Sequence, residues 1–360
     1  MLYLIAGNGA PNFGDELLVK VWLKFYRDSG YTGSIIVDGK GADSTRRLLR
    51  EFENVEFRQT FIPRHKDGME GNYLTFASSG IEFAKNNIEA FQGVKAIHLL
   101  GGGYTNSSWP NVMRLLGATA EISRHFGIPL VGTGLGFDPF LPMDAATRKI
   151  WSEIVGQFSF LECRDLNSWS KLMEVTEGKH WGLSYGLDDA FLYPVDRAPH
   201  LGRWLHLSGF SEEGIFGPSG RDLLPSLMEH FDKTVFWACT KTDSDLLKKL
   251  NEDFPQIERI SNFQLIREGV PVEKNDFMLT SRFHPHLLAS RLGLVGYYSY
   301  YSAFYKTKHE MVADLGSAFR KIEKTADVFQ ESSKLMLAGD IARVNEKQRV
   351  AKKILWHLSL

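Results

Sequence analysis

Short apolar runs, each closing on a glycine-rich or polar loop and followed by residues at helical spacing, constrain the fold of this chain more than any other feature. Residues 2–6, 34–38, 96–100, 129–132 and 158–163 read as strands. Between them, residues 15–27, 110–126 and 145–155 carry apolar side chains at the helical period. That order predicts a parallel sheet wrapped by helices. Around residues 193–203 the sequence turns irregular and proline-containing, and the alternation restarts at 204–207, 234–238 and 276–280. The expected organisation is α/β, with two consecutive Rossmann-like domains at 1–195 and 196–335 and a terminal helix at 336–360. A length of 360 residues suits two domains of ordinary size. Two doubly wound domains place a ligand cleft between them, lined by the loops that follow strands.

The bulk composition excludes several classes. With 43% hydrophobic and 24% charged residues, neither disorder nor a repeat array is indicated. A net charge of -1 gives no global attraction to nucleic acid or an acidic surface, so local groups must meet any anion. Cys163 and Cys239 are far apart and form no metal or redox spacing, which predicts reduced thiols and a cytoplasmic setting. The N-terminus lacks the pattern of a secretory signal, and no apolar run approaches the roughly 20 residues that span a bilayer. Residues 63–72 are polar and read as a mobile loop beside the cleft. The stretch 334–360 is helix-like, with Val344, Ala351, Ile354, Leu355 and Leu358 near one face and a basic excess including Arg343, Lys347, Arg349, Lys352 and Lys353. A helix docked on the body is expected ahead of one lying on a membrane or a partner.

The loops after strands carry the candidate chemistry. The first strand runs into Gly7-Asn8-Gly9-Ala10-Pro11-Asn12-Phe13-Gly14-Asp15-Glu16. Such a turn can hold phosphate on backbone N–H groups, but the spacing is not that of a dinucleotide fingerprint, and Asp15 and Glu16 put negative charge at the helix start. Asp15 is either a helix-start acid that suits the dipole or a group that activates a sugar hydroxyl. Gly101-Gly102-Gly103-Tyr104 and Gly132-Thr133-Gly134-Leu135-Gly136 follow two further strands. Such glycines admit close approach of a ligand, or serve only a sharp bend. Arg164 of Glu162-Cys163-Arg164-Asp165 is an anion ligand or half of an Arg-Asp pair.

The strongest motif is Thr280-Ser281-Arg282-Phe283-His284-Pro285-His286, where an apolar strand ends and a helix begins. Arg282 and the helix start would hold a doubly charged phosphate, and His284 would transfer a proton near neutral pH. A metal on His284 and His286 ranks well below this, because the rings would diverge and no Asp, Glu or Cys nearby completes a site. Downstream, residues 297–309 are rich in tyrosine and include Lys306 and Lys308, which suits sugar stacking and phosphate neutralisation, or in part an aromatic core strand.

Taken in order, Asn12-Phe13-Gly14-Asp15-Glu16, Gly101-Gly102-Gly103, Gly132-Thr133-Gly134, Arg164-Asp165 with Ser168, Asp189-Ala190 and Ser281-Arg282-Phe283-His284 resemble the polysaccharide pyruvyltransferase family. The sequence departs from the family pattern at Phe283, where leucine is usual, and in the added Ala10-Pro11. The resemblance implies two Rossmann-like domains facing a cleft in a GT-B-like arrangement. It also implies phosphoenolpyruvate as donor, a glycan or lipid-linked saccharide as acceptor, and no metal or other cofactor; apart from the resemblance, a chain without a spanning segment is compatible with peripheral membrane contact at the inner face. Under the resemblance, His284 is the acid and Asp15 the base. Arg282, Ser281, Arg164 and either Lys306 or Lys308 bind donor. Asn12, Gly14, Gly101, Gly102, Gly103, Gly134 and Tyr104 shape the acceptor side. The rival readings are a GT-B glycosyltransferase using a nucleotide sugar and a non-catalytic glycan-binding protein.

Overall fold

The computed structural model describes residues 1–59, 71–103, 106–216, 222, 224–322 and 335–358. Tyr104, and all of the loop expected at 63–72 except Gly71 and Asn72, lie outside them. The chain divides into two compact units: residues 1–10, 18–192 and 345–360 form the first, and residues 11–17 and 193–344 the second. Residues 11–17, near the chain start, therefore belong with the second unit, and the last residues with the first.

The strands of the first unit are β1 (Leu2–Ile5), β2 (Ile35–Gly39), β3 (Val55–Gln59), β4 (Ala96–Leu99), β5 (Gly102–Gly103), β6 (Leu130–Gly136), β7 (Phe158–Cys163) and β8 (Leu183–Tyr185). They pair in the order β3-β2-β1-β4-β6-β7-β8, with β5 beside β6. Every pairing is parallel. The second unit holds β9 (Trp204–Ser208), β10 (Lys233–Ala238), β11 (Glu258–Ser261), β12 (Phe277–Thr280), β13 (Val295–Tyr298) and β14 (Phe319–Lys321). Their order is β11-β10-β9-β12-β13-β14, again all parallel. Counted from its own first strand, this is the 3-2-1-4-5-6 order of a Rossmann sheet. The order reverses between β9 and β12 in the second sheet and between β1 and β4 in the first.

Central strands are buried throughout, as in β1 and β12, because helices cover both faces. The tyrosine-rich stretch contributes β13, and the helix Ala303–Asp314 follows it. Among the described residues, no helix is long and apolar enough to cross a membrane.

The final helix, Leu335–His357, docks by a heptad-like row: Val344, Lys347, Ala351, Ile354 and the following Leu358 are all buried. Lys347, expected within the basic excess, is thus an inward residue. In the part of that helix belonging to the second unit, Asp340 accepts two hydrogen bonds from Arg291, from Nε at 2.6 Å and Nη2 at 3.2 Å.

Candidate active site

At the reversal point of the second sheet, β9 and β12 end side by side. Thr280 pairs with Ser208, and the Ser281 N–H donates to the Ser208 carbonyl at 2.9 Å. Two loops therefore open from the C-terminal ends of adjacent central strands, where ligand groups gather in such sheets. Gly209 follows β9, and the short helix Glu212–Phe216 follows Gly209. A β-carbon on Gly209 would lie 2.4 Å from Ile215 Cγ1 and 2.6 Å from Ser281 Oγ, and one on Gly214 would lie 2.7 Å from Ser211 Oγ and 3.2 Å from Ser281 Oγ. Ser281 Oγ is buried, with no hydrogen-bond partner among the described residues. The two missing β-carbons thus let Ile215, Ser211 and the Ser281 hydroxyl pack closely around this turn.

Arg282 precedes the helix Phe283–Arg291, whose start has no side-chain cap. Its backbone N–H is satisfied by Thr280 Oγ1 at 2.9 Å. Its guanidinium lies 5.0 Å from the ring centre of Phe210. Nη2 donates to Thr240 Oγ1 at 2.9 Å and pairs with the buried Asp243, while Nε is buried without a partner among the described residues. Burial works against the charge of Arg282, but Asp243 and other neighbours outweigh it and hold the guanidinium above its ordinary range. Asp243 is itself pushed up by burial, against the pull of Arg282. One end of the guanidinium is therefore anchored.

His284 packs against the start of the helix Phe13–Asp28. A β-carbon on Gly14 would lie 1.8 Å from its Nδ1, so only glycine admits the ring there. The segment carrying Gly14 is clamped in place: Asn12 bridges Thr240, and the Phe13 N–H donates to the Cys239 carbonyl at 2.9 Å. Asn12 Oδ1 accepts from the Gly14 N–H at 3.3 Å, and Asn12 Nδ2 donates to Asp15 Oδ2 at 2.8 Å. Asn12, Gly14, Asp15, Arg282 and His284 are thereby brought into one unit. Lys308 stands over the ring of Phe304 at 3.8 Å and lies 5.8 Å from that of Phe283, beside the motif. Lys306 is exposed and lies 3.8 Å from Glu310. Phe210, Tyr301 and Tyr305 form an aromatic group, with centroids 4.5 and 5.6 Å from Phe210.

His286 is turned away from this face and is buried against His309, Nδ1 to Nδ1 at 2.9 Å. The proton positions follow from the partners. His309 Nε2 faces the Ser281 carbonyl at 3.3 Å and must donate. His309 Nδ1 then accepts from His286 Nδ1–H, and His286 Nε2 accepts from Ser317 at 3.1 Å. A neutral histidine chain thus holds the carbonyl of the motif's first residue. His286 and His309 were not among the expected site residues.

In the glycine loops of the first unit, Gly101 and Gly134 receive buried carboxylates. The Gly101 N–H donates to Asp189 Oδ2 at 2.8 Å, and the Gly134 N–H to Glu162 Oε2 at 3.2 Å. Gly134 has a φ of 56°, and a β-carbon there would lie 2.9 Å from the Asp189 nitrogen. Close approach by a buried carboxylate, rather than by a ligand, accounts for glycine at both positions. Gly102 and Gly103 pair with Leu135 and Gly136. Asp189 also accepts from Thr133 at 2.8 Å, Thr133 from His98 Nε2 at 2.9 Å, and His98 Nδ1 from Tyr26 at 2.7 Å. Lys347 closes the network with an ion pair to Asp189 at 2.7 Å, a second to Glu162 and a bond to the Leu187 carbonyl at 2.7 Å. Burial raises the pKa of Glu162 against the pull of Lys347, while the two carboxylates keep the ammonium charged above its ordinary range despite its burial.

Arg164, expected as an anion ligand, is buried in the first unit and paired with Asp188 at 2.6 Å. Its neighbour Asp165 caps the helix Leu166–Val175 through the Ser168 N–H, and Ser168 Oγ receives the Phe137 and Asp138 N–H groups. This corner is architecture, because its polar groups are spent on one another.

Among the described residues, one group, His200, His206 and Asp276, has metal-ligand proximity. The Trp237 indole donates to His206 Nδ1 at 3.1 Å, so His206 carries its proton on Nε2 and gives it to Asp276 Oδ2, also at 3.1 Å. A protonated nitrogen has no lone pair for a metal, and Asp276 further accepts from His200 at 2.9 Å and from the Trp204 and Glu273 N–H groups. The cluster is a hydrogen-bonded tie.

Burial keeps these histidines neutral. His98 and His309 are lowered to about 3, and His206 and His286 fall below their ordinary value. The unfolded chain gains these protons below a pH of about 6.5 and the folded chain does not, so the stability they support is whole above that pH and drains as pH falls toward 3. Urea unfolding should show this between pH 7 and 5, by up to about 1.4 kcal/mol per pH unit for each such histidine. A flat profile would show that they titrate in the folded state.

The polysaccharide pyruvyl transferase family model matches residues 12–236. No curated protein matches the sequence. Among solved structures, the UDP-GlcNAc 2-epimerase of Methanocaldococcus jannaschii is similar with a TM-score of 0.54 at 12% identity, covering 99% of each chain. The S. aureus MnaA–UDP co-structure gives 0.52 at 13%, covering 100% of this chain and 97% of that one. A glycosyltransferase from Rickettsia africae gives 0.50 at 10%, covering 99% and 98%. These likenesses show a GT-B-type α/β fold.

Proposed function

This chain belongs to the polysaccharide pyruvyl transferase family, and from that premise we propose that it moves a pyruvyl group from phosphoenolpyruvate onto two hydroxyls of a sugar, releasing phosphate. The observation that carries the reading is the grouping of the Ser281 hydroxyl, an anchored Arg282 and His284 at the reversal point of the second sheet, with Ser281 Oγ and Arg282 Nε unpartnered among the described residues.

In this reading the donor phosphate lies at the helix start, held by Ser281 Oγ, Arg282 Nε and the N–H groups of that first turn. Asp243 fixes the far end of the guanidinium, so little side-chain freedom is lost when the anion arrives. Lys308, beside Phe283, supplies the second cation, and Lys306, exposed and close to Glu310, does not. His284 protonates the methylene carbon of the donor, and C2 becomes electrophilic. The first sugar hydroxyl adds to C2 and gives its proton to a base, for which Asp15 is the candidate, oriented by Asn12. The C2–O bond to phosphate then breaks, and the second hydroxyl adds with loss of its proton. Asp15 passes the first hydroxyl's proton to the departing phosphate and the second hydroxyl's proton restores His284, so both residues return to their starting states and the step balances. Fixed cations stabilise the charge that grows on the departing group. Tyr301 and Tyr305 offer the sugar a stacking face.

The test is phosphate release from phosphoenolpyruvate in the presence of a panel of glycan and lipid-linked acceptors. Wild type should release phosphate only with a suitable acceptor, and His284→Ala and Arg282→Ala should each lower the rate by about 10²-fold or more. If wild type releases none across the panel but turns over a nucleotide sugar, the protein is a glycosyltransferase and this reading fails.

A further inference from the structure

The docked final helix leaves a second face outside, and the chemistry above does not use it. Trp356 is 75% exposed there, and Trp181, before β8, is 80% exposed. His357 joins the two indoles: its ring lies 4.9 Å from Trp356, 5.8 Å from Trp181 and 5.7 Å from Phe160. They therefore form one apolar patch rather than two scattered side chains. Arg349, Lys352 and Lys353 are exposed on the same helix, and burial, with the nearby charge of Lys353, disfavours a charge on His357. Glu346 is an exposed acid of this stretch, and Glu177, near Trp181 in sequence, is engaged by Lys179. The chain as a whole carries a charge of -1, so the positive character is local.

We propose that this patch docks the first unit on an anionic phospholipid surface, with Trp181 and Trp356 at headgroup depth and Lys352, Lys353 and Arg349 facing lipid phosphates. Indole rings, apolar in body with one N–H, favour the membrane–water boundary, and adjacent cations add attraction to anionic lipid. A second copy is a poorer occupant, because a twofold contact would set these three cations against their own mates. Strand addition is poorer too, since β8 is the sheet edge and has three residues.

The experiment is sedimentation of the full chain with vesicles of phosphatidylcholine alone or mixed with phosphatidylglycerol, with quenching of tryptophan fluorescence by brominated acyl chains. Wild type should bind the mixed vesicles only, and less as salt rises. Trp181→Ala with Trp356→Ala, and Lys352→Glu with Lys353→Glu, should each weaken binding by about tenfold or more. Trp356→Phe, which keeps a ring in place, should lose part of the quenching while melting as wild type does. The proposal is overturned if wild type stays in the supernatant, if the variants bind like wild type, or if light scattering shows the tryptophan pair holding a dimer together. No turnover is needed, so failure here leaves the pyruvyl reading untouched.

Discussion

Gly14→Ala should lower pyruvyl transfer by about 10²-fold or more while leaving the fold intact. Helix physics alone favours the change, since alanine is better than glycine inside a helix by about 1 kcal/mol. The backbone at Gly14 is not in the left-handed region, so the new side chain is not strained by its own conformation. The obstacle is His284, whose Nδ1 would lie 1.8 Å from the added carbon. The imidazole must leave, and with it the proton donor. The double variant Gly14→Ala with His284→Ala should be no slower than His284→Ala alone, because both changes remove one function. If the two losses multiply instead, Gly14 acts by another route, and the placement of His284 as acid loses its main geometric support.

Lys347→Met should cost about 3–5 kcal/mol of stability, the usual penalty for leaving a buried charge without its partner. Here two carboxylates are left, Glu162 and Asp189, each also receiving a backbone N–H from a glycine loop. Adding Glu162→Gln and Asp189→Asn should recover much of the loss, since amide oxygens still accept those N–H groups. The pH dependence has a definite sign. In Lys347→Met the folded-state pKa of Glu162 rises further above its unfolded value, so the folded state binds more protons, and the variant should gain stability relative to wild type as pH falls from 8 to 5. Urea unfolding of the variants at several pH values measures all of this. A loss under 1 kcal/mol would mean the network relaxes around the missing ammonium.

The central strands were legible because strands covered on both faces are written in mostly apolar residues, without interruption in Leu2–Ile5. The outer strands Val55–Gln59 and Glu258–Ser261 carry Glu, Arg, Gln or Ser, and their composition resembles that of loops. The motif around Arg282 was legible because an apolar strand stops on it and a proline starts the helix beyond. The neighbouring turn was open to the same rule: Gly209-Phe210-Ser211 also follows a strand directly.

The glycine loops show where such reading stops. Glycine reports that something comes close, not what, and at Gly101 and Gly134 it is a carboxylate 88 and 55 residues away in sequence. No local pattern marks Lys347 as the partner of Glu162 at a separation of 185 residues. Nor does one show that residues 11–17 belong with the second unit.

That long separation bears on how the chain is made. Translation delivers the strands of the first unit long before Lys347 emerges, and domains that are contiguous can fold as they appear. Here the counter-charge for Glu162 and Asp189 arrives only after nearly the whole second unit has been synthesised. The network of the earlier unit closes only when the Lys347 ammonium arrives, so the half made first is the half completed last.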